Sequence, residues 1–297
     1  MKNLPLPSRD DVDKHLKKSI TTYKYKKQIL GRNISDSEIS DVIEIYNKYD
    51  KSKGSASDTL KGSALAKDLR QAIYDAYDKT QERRKLYSIR KTLFANVPLC
   101  PICGIDPVTE LDHHLPRSIF SPLSIYVRNL IPVCHLCNST KLAGFGDQSQ
   151  GEIAYLHAYF DTLPDINFLK AVVTLQGCAL HVNFEIQDHS LMPDGYSKRL
   201  SDQIRNLKLN ARYQDEVNTY ITSHTVALHL SYVNRDKKSV RKFLNAQAKV
   251  EETAFYRNHW RPTLLSALAG SDEFIDGGFA QVLPIAQEIL DDMQNDK

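Results

Sequence analysis

The chain has 297 residues with a formal net charge of +3, and 41% of them are hydrophobic and 25% charged, which is an ordinary globular composition. This length allows a buried core and predicts about two domains. No secretory signal and no run of about 18 apolar residues is present, so we expect a cytoplasmic protein with no membrane partner.

Residues 1–95 are predicted to form a basic, helical N-terminal region. Ser35 and Glu38 match the S-x-x-E capping box, and apolar residues at helical spacing follow them. A second helical pattern begins at Leu65, and the apolar residues between Leu86 and Phe94 are compatible with its continuation. The region holds 21 Lys and Arg against 13 Asp and Glu, whereas the rest holds 18 against 23. This asymmetry predicts a nucleic-acid face; the alternative is a solvated helix surface.

The helical pattern is interrupted between residues 96 and 147, where Pro, Gly, Cys and His become frequent. Residues 148–297 are predicted to be a mostly helical C-terminal region. Helical patterns occupy 153–160 and 166–173, and an alternating pattern at 178–186 predicts one strand. The basic run Arg83-Arg84-Lys85 either follows phosphates or covers a solvated helix face.

Four of the five cysteines form two C-x2-C pairs, Cys100 with Cys103 and Cys134 with Cys137. Two such pairs complete a tetrahedral Zn–S4 site. The alternatives are disulfides, which a cytoplasmic location disfavours, and a redox C-x-x-C, which needs only one pair. We therefore predict a structural Zn²⁺ that folds the segment without catalysing. Cys178 has apolar neighbours and is predicted to be a buried thiol.

The two pairs are separated by 30 residues, more than the roughly 15–20 of a plain zinc ribbon. The insertion contains Leu-Asp-His-His-Leu-Pro at 111–116. Asn129 and Leu130 precede the second pair, and Asn138 and Lys141 follow it. This ordered pattern over about 45 residues closely resembles the HNH, or ββα-metal, nucleases. The resemblance implies a mainly α fold with a small central ββα-metal, zinc-containing unit at 96–147.

The same resemblance assigns a role to each residue of the motif. His113 would be the general base, and Asp112 and Asn138 would bind a catalytic Mg²⁺ or Mn²⁺. Asn129 would fasten the loop that carries His113 through side-chain to backbone hydrogen bonds. Phosphodiester hydrolysis needs an activated water and charge neutralisation at the phosphate, which these groups provide. Many family members carry His in place of Asn138, so the physiological ion is left open.

Two cations are predicted to bind nucleic acid. Lys141 lies one helical turn beyond Asn138, on the same helix face. Arg117 follows the proline of the motif. The alternative for each is an ordinary exposed cation. The two strands of the unit are expected near 108–113 and 130–133, with a helix from Asn138.

These features predict a metal-dependent HNH endonuclease that hydrolyses DNA. A basic helical arm before the site and helices after it resemble the HNH effectors of bacterial antiphage defence. Some of those effectors work with an ATPase subunit, so an ATPase or another defence-system protein is a predicted partner. Two alternatives stay open: a non-catalytic zinc-knuckle module that binds nucleic acid or protein, and an RNA-cleaving HNH toxin.

Overall fold

The computed structural model describes residues 1–146, 155–232 and 235–295. The chain divides into two compact units, one of residues 2–163 and one of residues 164–297 with Met1. Among the described residues, helices make up most of the regular structure, together with three two-stranded sheets. The predicted mainly helical fold with small strands is thus confirmed. Within the described ranges, no helix is both long and apolar enough to cross a membrane.

The first unit begins with a helix, a short hairpin and three further helices. In chain order these are α1 (Val12–Ser19), β1 (Tyr23–Tyr25), β2 (Gln28–Leu30), α2 (Asp36–Lys51), α3 (Lys67–Ala76) and α4 (Tyr87–Phe94). The predicted capping box is confirmed at the start of α2, where Ser35 and Glu38 bond each other's backbone N–H. Hydrogen-bonded helix ends of this kind fix where a helix begins.

Two sequence predictions for this region are wrong. The region is not wholly helical, because β1 and β2 form an antiparallel hairpin whose turn residues Lys26 and Lys27 have φ of 45° and 67°. The pattern from Leu65 to Phe94 is not one helix, because a 3-10 turn at Tyr77–Thr80 and a left-handed residue at Arg83 separate α3 from α4.

The remainder of the first unit carries the predicted site. Strand β3 (Glu110–His113) pairs antiparallel with β4 (Leu130–Val133), and α5 (His135–Lys141) follows at once. Apolar side chains from α2, α3 and α4 share one core with those of the segment from Leu111 to Leu130. Packing against the helices therefore supports the segment that holds the site residues.

The second unit joins a hairpin to a set of helices. Its elements are β5 (Leu169–Gln176), β6 (Ala179–Ile186), α6 (Tyr196–Asn206), α7 (Leu209–Thr222), α8 (Thr225–Ser231), α9 (Lys237–Ala254), α10 (Trp260–Gly270), α11 (Phe279–Val282) and α12 (Gln287–Asn295). The strand predicted at 178–186 is confirmed, and it pairs antiparallel with β5.

Two further predictions are wrong, and a third lies partly outside the residues that the structure describes. The prediction of a helix at 166–173 is wrong, because β5 occupies most of this range. The consecutive β-branched residues of β5 favour a strand. Cys178 is exposed rather than buried, because it lies with Gly177 in the tight turn between β5 and β6. The helix predicted at 153–160 begins outside the described residues, and residues 155–160 form bends and turns.

Candidate active site and four-cysteine cluster

The four paired cysteines converge on one point beside the β3–β4 hairpin. Their sulfur atoms all lie within 4.8 Å of one another, and every one of the four residues is buried. The Cys103 and Cys134 sulfurs are 3.8 Å apart, and all four cysteines are free of disulfides. Within residues 1–146, 155–232 and 235–295, this is the one group of three or more His, Cys, Asp or Glu side chains that converges in this way.

Local backbone structure aims these sulfurs. In the first pair, Gly104 adopts φ 66° and its N–H donates to the Cys100 carbonyl at 2.8 Å, which turns the chain back on itself. In the second pair, Cys134 caps α5 and its sulfur accepts from the Cys137 N–H at 3.4 Å. Burial raises the pKa of the Cys100 thiol, so a thiolate there needs a cation. Four buried, convergent sulfurs fit a structural Zn²⁺.

Strand β3 separates the predicted site into two faces. Side chains alternate along a strand, so Glu110 and Asp112 point to one face and Leu111 and His113 to the other. The first face meets α5, because Asp112 contacts Lys141 and Glu110 contacts Asn138. The predicted general base and the predicted ion ligand are thus adjacent in sequence but lie on opposite sides of the strand.

The imidazole of His113 is held in one defined tautomer. Its Nε2 lies 2.9 Å from the carbonyl oxygen of Ser124, and a carbonyl can only accept, so the proton is on Nε2. The Nδ1 atom then carries the lone pair, and it forms no hydrogen bond with any described residue. Burial lowers the pKa of His113 to about 3, so the ring is neutral near pH 7.

One side of the His113 ring is covered by Tyr77. The two ring centroids are 4.4 Å apart, and the Tyr77 hydroxyl donates to the Leu111 carbonyl at 2.6 Å. The Arg117 guanidinium stacks 4.7 Å from the Tyr77 ring centroid and also bonds Asp78 at 3.3 Å. Arg117 is therefore close to the predicted base but already has a carboxylate and an aromatic partner; its predicted phosphate contact stays a prediction.

Asp112 forms a buried ion pair with Lys141. The Lys141 ammonium lies 2.8 Å and 3.1 Å from the two carboxylate oxygens, and it donates to the His113 carbonyl at 2.7 Å. The side chains are only 7% and 3% exposed. Burial raises the pKa of Asp112, and the Lys141 charge opposes that rise. A phosphate contact by Lys141 would require this ammonium to leave a buried partner.

Asn138 bonds Glu110 rather than Asp112. Its amide nitrogen donates to one carboxylate oxygen of Glu110, and His135 Nδ1 lies 2.6 Å from the other. Sequence reasoning did not select Glu110, although a strand period of two places it on the same face as Asp112 and would have indicated it. The side-chain oxygens on this face therefore include the Asn138 carbonyl and the Glu110 and Asp112 carboxylates, and both carboxylates already have partners.

The loop after His113 is closed by Asn129. The Asn129 amide nitrogen donates to the carbonyls of Leu115 and Leu123 at 3.0 Å and 3.3 Å, and its oxygen accepts from the Leu115 N–H at 2.9 Å. The side chain is fully buried. Because Ser124 follows Leu123, this clamp also positions the carbonyl that holds His113.

A chain of two further side chains supports Asn129, and the sequence had singled out neither of them for this role. The Tyr159 N–H donates to His157 Nδ1 at 3.1 Å, so the His157 proton is on Nε2, which lies 2.9 Å from the Tyr49 hydroxyl. Tyr49 in turn donates to Asn129 Oδ1 at 3.0 Å. Any side chain at Gly54 would strike His157, since an added Cβ would lie 2.4 Å from its ring. Through Tyr49, which lies in α2, this helix is connected to the loop of the site.

The comparisons with known proteins give one distant similarity. The chain is 24% identical over 245 residues to protein ea31 of Escherichia phage lambda. The aligned region covers 77% of this chain and 81% of that protein. The similarity extends well beyond the 96–147 segment. No family model matches the chain. No solved structure matches it either.

The cysteine cluster generates the first prediction. Cys134→Ser should remove bound zinc and destabilise the first unit, because three thiols no longer complete a tetrahedral site. Zinc content by mass spectrometry of purified protein, with thermal unfolding in parallel, measures both effects. Cys178→Ser is the matched control because that thiol is exposed. Full zinc content and unchanged unfolding in Cys134→Ser would refute the zinc assignment.

The clamp generates the second prediction. Asn129→Ala should lower the free energy of unfolding by about 3 kcal/mol, because it leaves several buried backbone groups unpaired at about 1–3 kcal/mol each. Hydrogen exchange of the peptide over 114–126 should lose protection. Asn47→Ala, at an exposed position of α2, should leave both quantities nearly unchanged. Equal behaviour of the two variants would show that the clamp does not hold the loop.

Proposed function

We propose that the chain is a metal-dependent endonuclease of the HNH type that hydrolyses phosphodiester bonds in DNA. One observation carries the proposal: His113 is neutral, its Nε2 proton is committed to the Ser124 carbonyl, and its Nδ1 lone pair has no partner among the described residues. A neutral imidazole fixed in one tautomer is the form that accepts a proton from water. The motif spacing and the β3–β4–α5 order support the same assignment.

In the proposed reaction, His113 Nδ1 removes a proton from the water that attacks phosphorus. A pKa of about 3 keeps the base unprotonated near neutral pH but makes it weak. An anionic phosphate beside the ring favours the protonated imidazolium, so substrate binding raises this pKa toward a useful range. The Ser124 carbonyl stabilises the same imidazolium, since it accepts from Nε2 in both forms.

The opposite face of β3 offers oxygen donors of the kind that a hard cation takes. Asp112 and Asn138 would hold a divalent ion there, with Glu110 adjacent. When bound, Mg²⁺ or Mn²⁺ supplies charge neutralisation for the phosphate and for the departing 3′ oxygen.

The sequence predicted that Lys141 contacts phosphate. In this proposal Lys141 instead acts on Asp112. Its ammonium opposes the rise that burial causes in the pKa of Asp112. A buried carboxylate without a partner would be strongly destabilising. Lys141 and a divalent cation therefore compete for the same carboxylate, and the proposal requires the lysine to yield or share it.

The wider biological role stays a prediction. Hydrolysis of this type serves DNA or RNA, and we propose DNA on the resemblance. An ATPase partner and a place in antiphage defence also stay predictions, and the similar phage lambda protein decides neither. The non-catalytic alternative requires the zinc cluster alone. It gives no reason for a buried clamp that fixes His113 with a free lone pair.

Plasmid cleavage tests the proposed function. Zinc-loaded wild type with excess Mg²⁺ or Mn²⁺ should nick or linearise a plasmid, and His113→Ala should reduce the rate by at least about 100-fold, as expected for loss of a general base. His181→Ala, at an exposed position of β6, is the matched control and should cleave as wild type does. Equal cleavage by all three proteins would reject His113 as the base. No cleavage by wild type would favour the binding module.

Competition between Lys141 and the divalent ion gives a separate prediction. Lys141→Met should bind Mn²⁺ at least about tenfold more tightly than wild type, because the Asp112 carboxylate loses its resident cation. Titration calorimetry on zinc-loaded protein measures this, and Lys91→Met is an exposed control. Adding Asp112→Asn should abolish the gain. Unchanged Mn²⁺ affinity in Lys141→Met would place the ion away from Asp112.

A further inference from the structure

A two-stranded ribbon near the N-terminus presents its side chains to solvent. Five of the six strand residues of β1 and β2 are exposed. Tyr23, Tyr25 and Ile29 are 54%, 56% and 70% exposed, which is unusual for large apolar side chains grouped on one short hairpin. A lone two-stranded hairpin is marginally stable in water, so these side chains add little to folding. They are available to a partner.

The charge of the ribbon indicates what that partner is. From Lys14 to Ser35 the chain carries seven Lys and Arg residues and no Asp or Glu. Lys24, Lys26 and Lys27 form no ion pair within the part of the chain that the structure describes. The Lys26 ammonium lies 5.5 Å from the centroid of the Tyr25 ring, so charge and aromatic surface are adjacent.

The basic run noted in the sequence lies at the base of this ribbon. The Lys85 ammonium donates to the Thr21 hydroxyl at 3.2 Å, just before β1. Arg84 is exposed, and the Arg83 side chain is 92% exposed with only a 3.9 Å contact to Glu82. We call the ribbon and this run together the basic ribbon surface. Tyr23 and Tyr25 lie on one face of β1 and Lys24 on the other. The surface comprises these three residues, the turn residues Lys26 and Lys27, and Arg83, Arg84 and Lys85.

The acidic groups near the ribbon, Asp68, Asp75 and Glu82, are fewer than its basic groups. Asp68 and Asp75 line the cleft at its base. Asp68 is paired with Arg32 at 2.8 Å, and Asp75 accepts from Gln71 at 2.9 Å with Lys79 in the same cleft. The basic ribbon surface therefore keeps a net positive charge. Such a surface complements a polyanion better than it complements a protein surface that carries both acidic and basic groups.

We infer that the basic ribbon surface binds the backbone of duplex DNA, the substrate of the proposed nuclease, an inference that rests on the proposed function. Lysine and arginine side chains neutralise phosphates and release counterions. A two-stranded β-ribbon has the width that the major groove of B-DNA admits. Tyrosine hydroxyls donate to phosphate oxygens, which positions a duplex without selecting a sequence.

Duplex binding by a cleavage-deficient background tests this inference. Fluorescence anisotropy with a labelled 30-base-pair duplex is measured for His113→Ala over a series of salt concentrations, without added divalent ions. Adding Lys24→Gln, Lys26→Gln and Lys27→Gln should weaken binding at least tenfold near 0.1 M salt. The plot of log affinity against log salt concentration should become less steep by up to about 2.7. Each phosphate contact contributes about 0.9 to the slope, and three lysines are removed.

The control carries the same change of charge elsewhere. Lys51→Gln, Lys67→Gln and Lys91→Gln in the same background remove three exposed lysines of the first unit. They should change affinity less than threefold and leave the salt slope nearly intact. Tyr23→Ser with Tyr25→Ser should weaken binding with little change in slope. Zinc content and thermal unfolding should match those of the His113→Ala background in all variants, because every added substitution is at an exposed side chain.

Several results would overturn the inference. The first is that the His113→Ala background does not bind the duplex. The second is that the ribbon and control variants lose equal affinity. The third is that single strands bind more tightly than the duplex. Its failure is separable from failure of the proposed function. A ribbon variant that binds and cleaves like wild type rejects the inference alone. Ribbon-dependent binding without any metal-dependent cleavage supports the inference and rejects the nuclease.

Discussion

The convergence of four thiols on one point is the constraint on which the candidate site depends. Cys103 precedes β3, and Cys134 both ends the hairpin and caps α5, so one cluster fixes the chain on either side of the site. The intervening hairpin has only four residues in each strand, too few to be stable alone. A bound zinc would lock these ends together. The face of α5 that carries Asn138 and Lys141 then meets β3.

Buried polar groups complete what the cluster begins, and each is satisfied by a specific partner. Asn129 uses both ends of its amide on the loop after β3, and Tyr49 reaches it from α2. The buried Asp112 carboxylate is paired with the Lys141 ammonium at 2.8 Å. Unpaired, each of these groups would cost from about 1 to 5 kcal/mol. The helices of the first unit are therefore part of the site, because their side chains hold its loop and its strand.

Motif spacing predicted the local parts of this arrangement well. The expected strands near 108–113 and 130–133 match β3 and β4, and the four cysteines meet as their spacing requires. The helix begins at His135 instead of Asn138, because Cys134 supplies the cap. These features follow from short stretches of chain, in which the residue types themselves determine turns, caps and alternation.

Features that depend on distant packing were beyond sequence reasoning. Nothing local to Lys141 shows that its ammonium is buried against Asp112, 29 residues earlier. The link from His157 through Tyr49 to Asn129 joins three segments that are far apart in the sequence. The β1–β2 turn was missed because Lys26 and Lys27 adopt left-handed backbone without the Asn or Gly that signals such a turn.

The most direct test of the account is chemical rescue of His113→Gly, which leaves room for an imidazole at the position of the lost ring. With zinc content and unfolding equal to wild type, this variant should not cleave duplex DNA in Mg²⁺ or Mn²⁺, and added imidazole should restore measurable cleavage. Asp112→Ala should gain nothing from imidazole, because its defect is not the missing base. Undiminished cleavage by His113→Gly without imidazole would contradict the account.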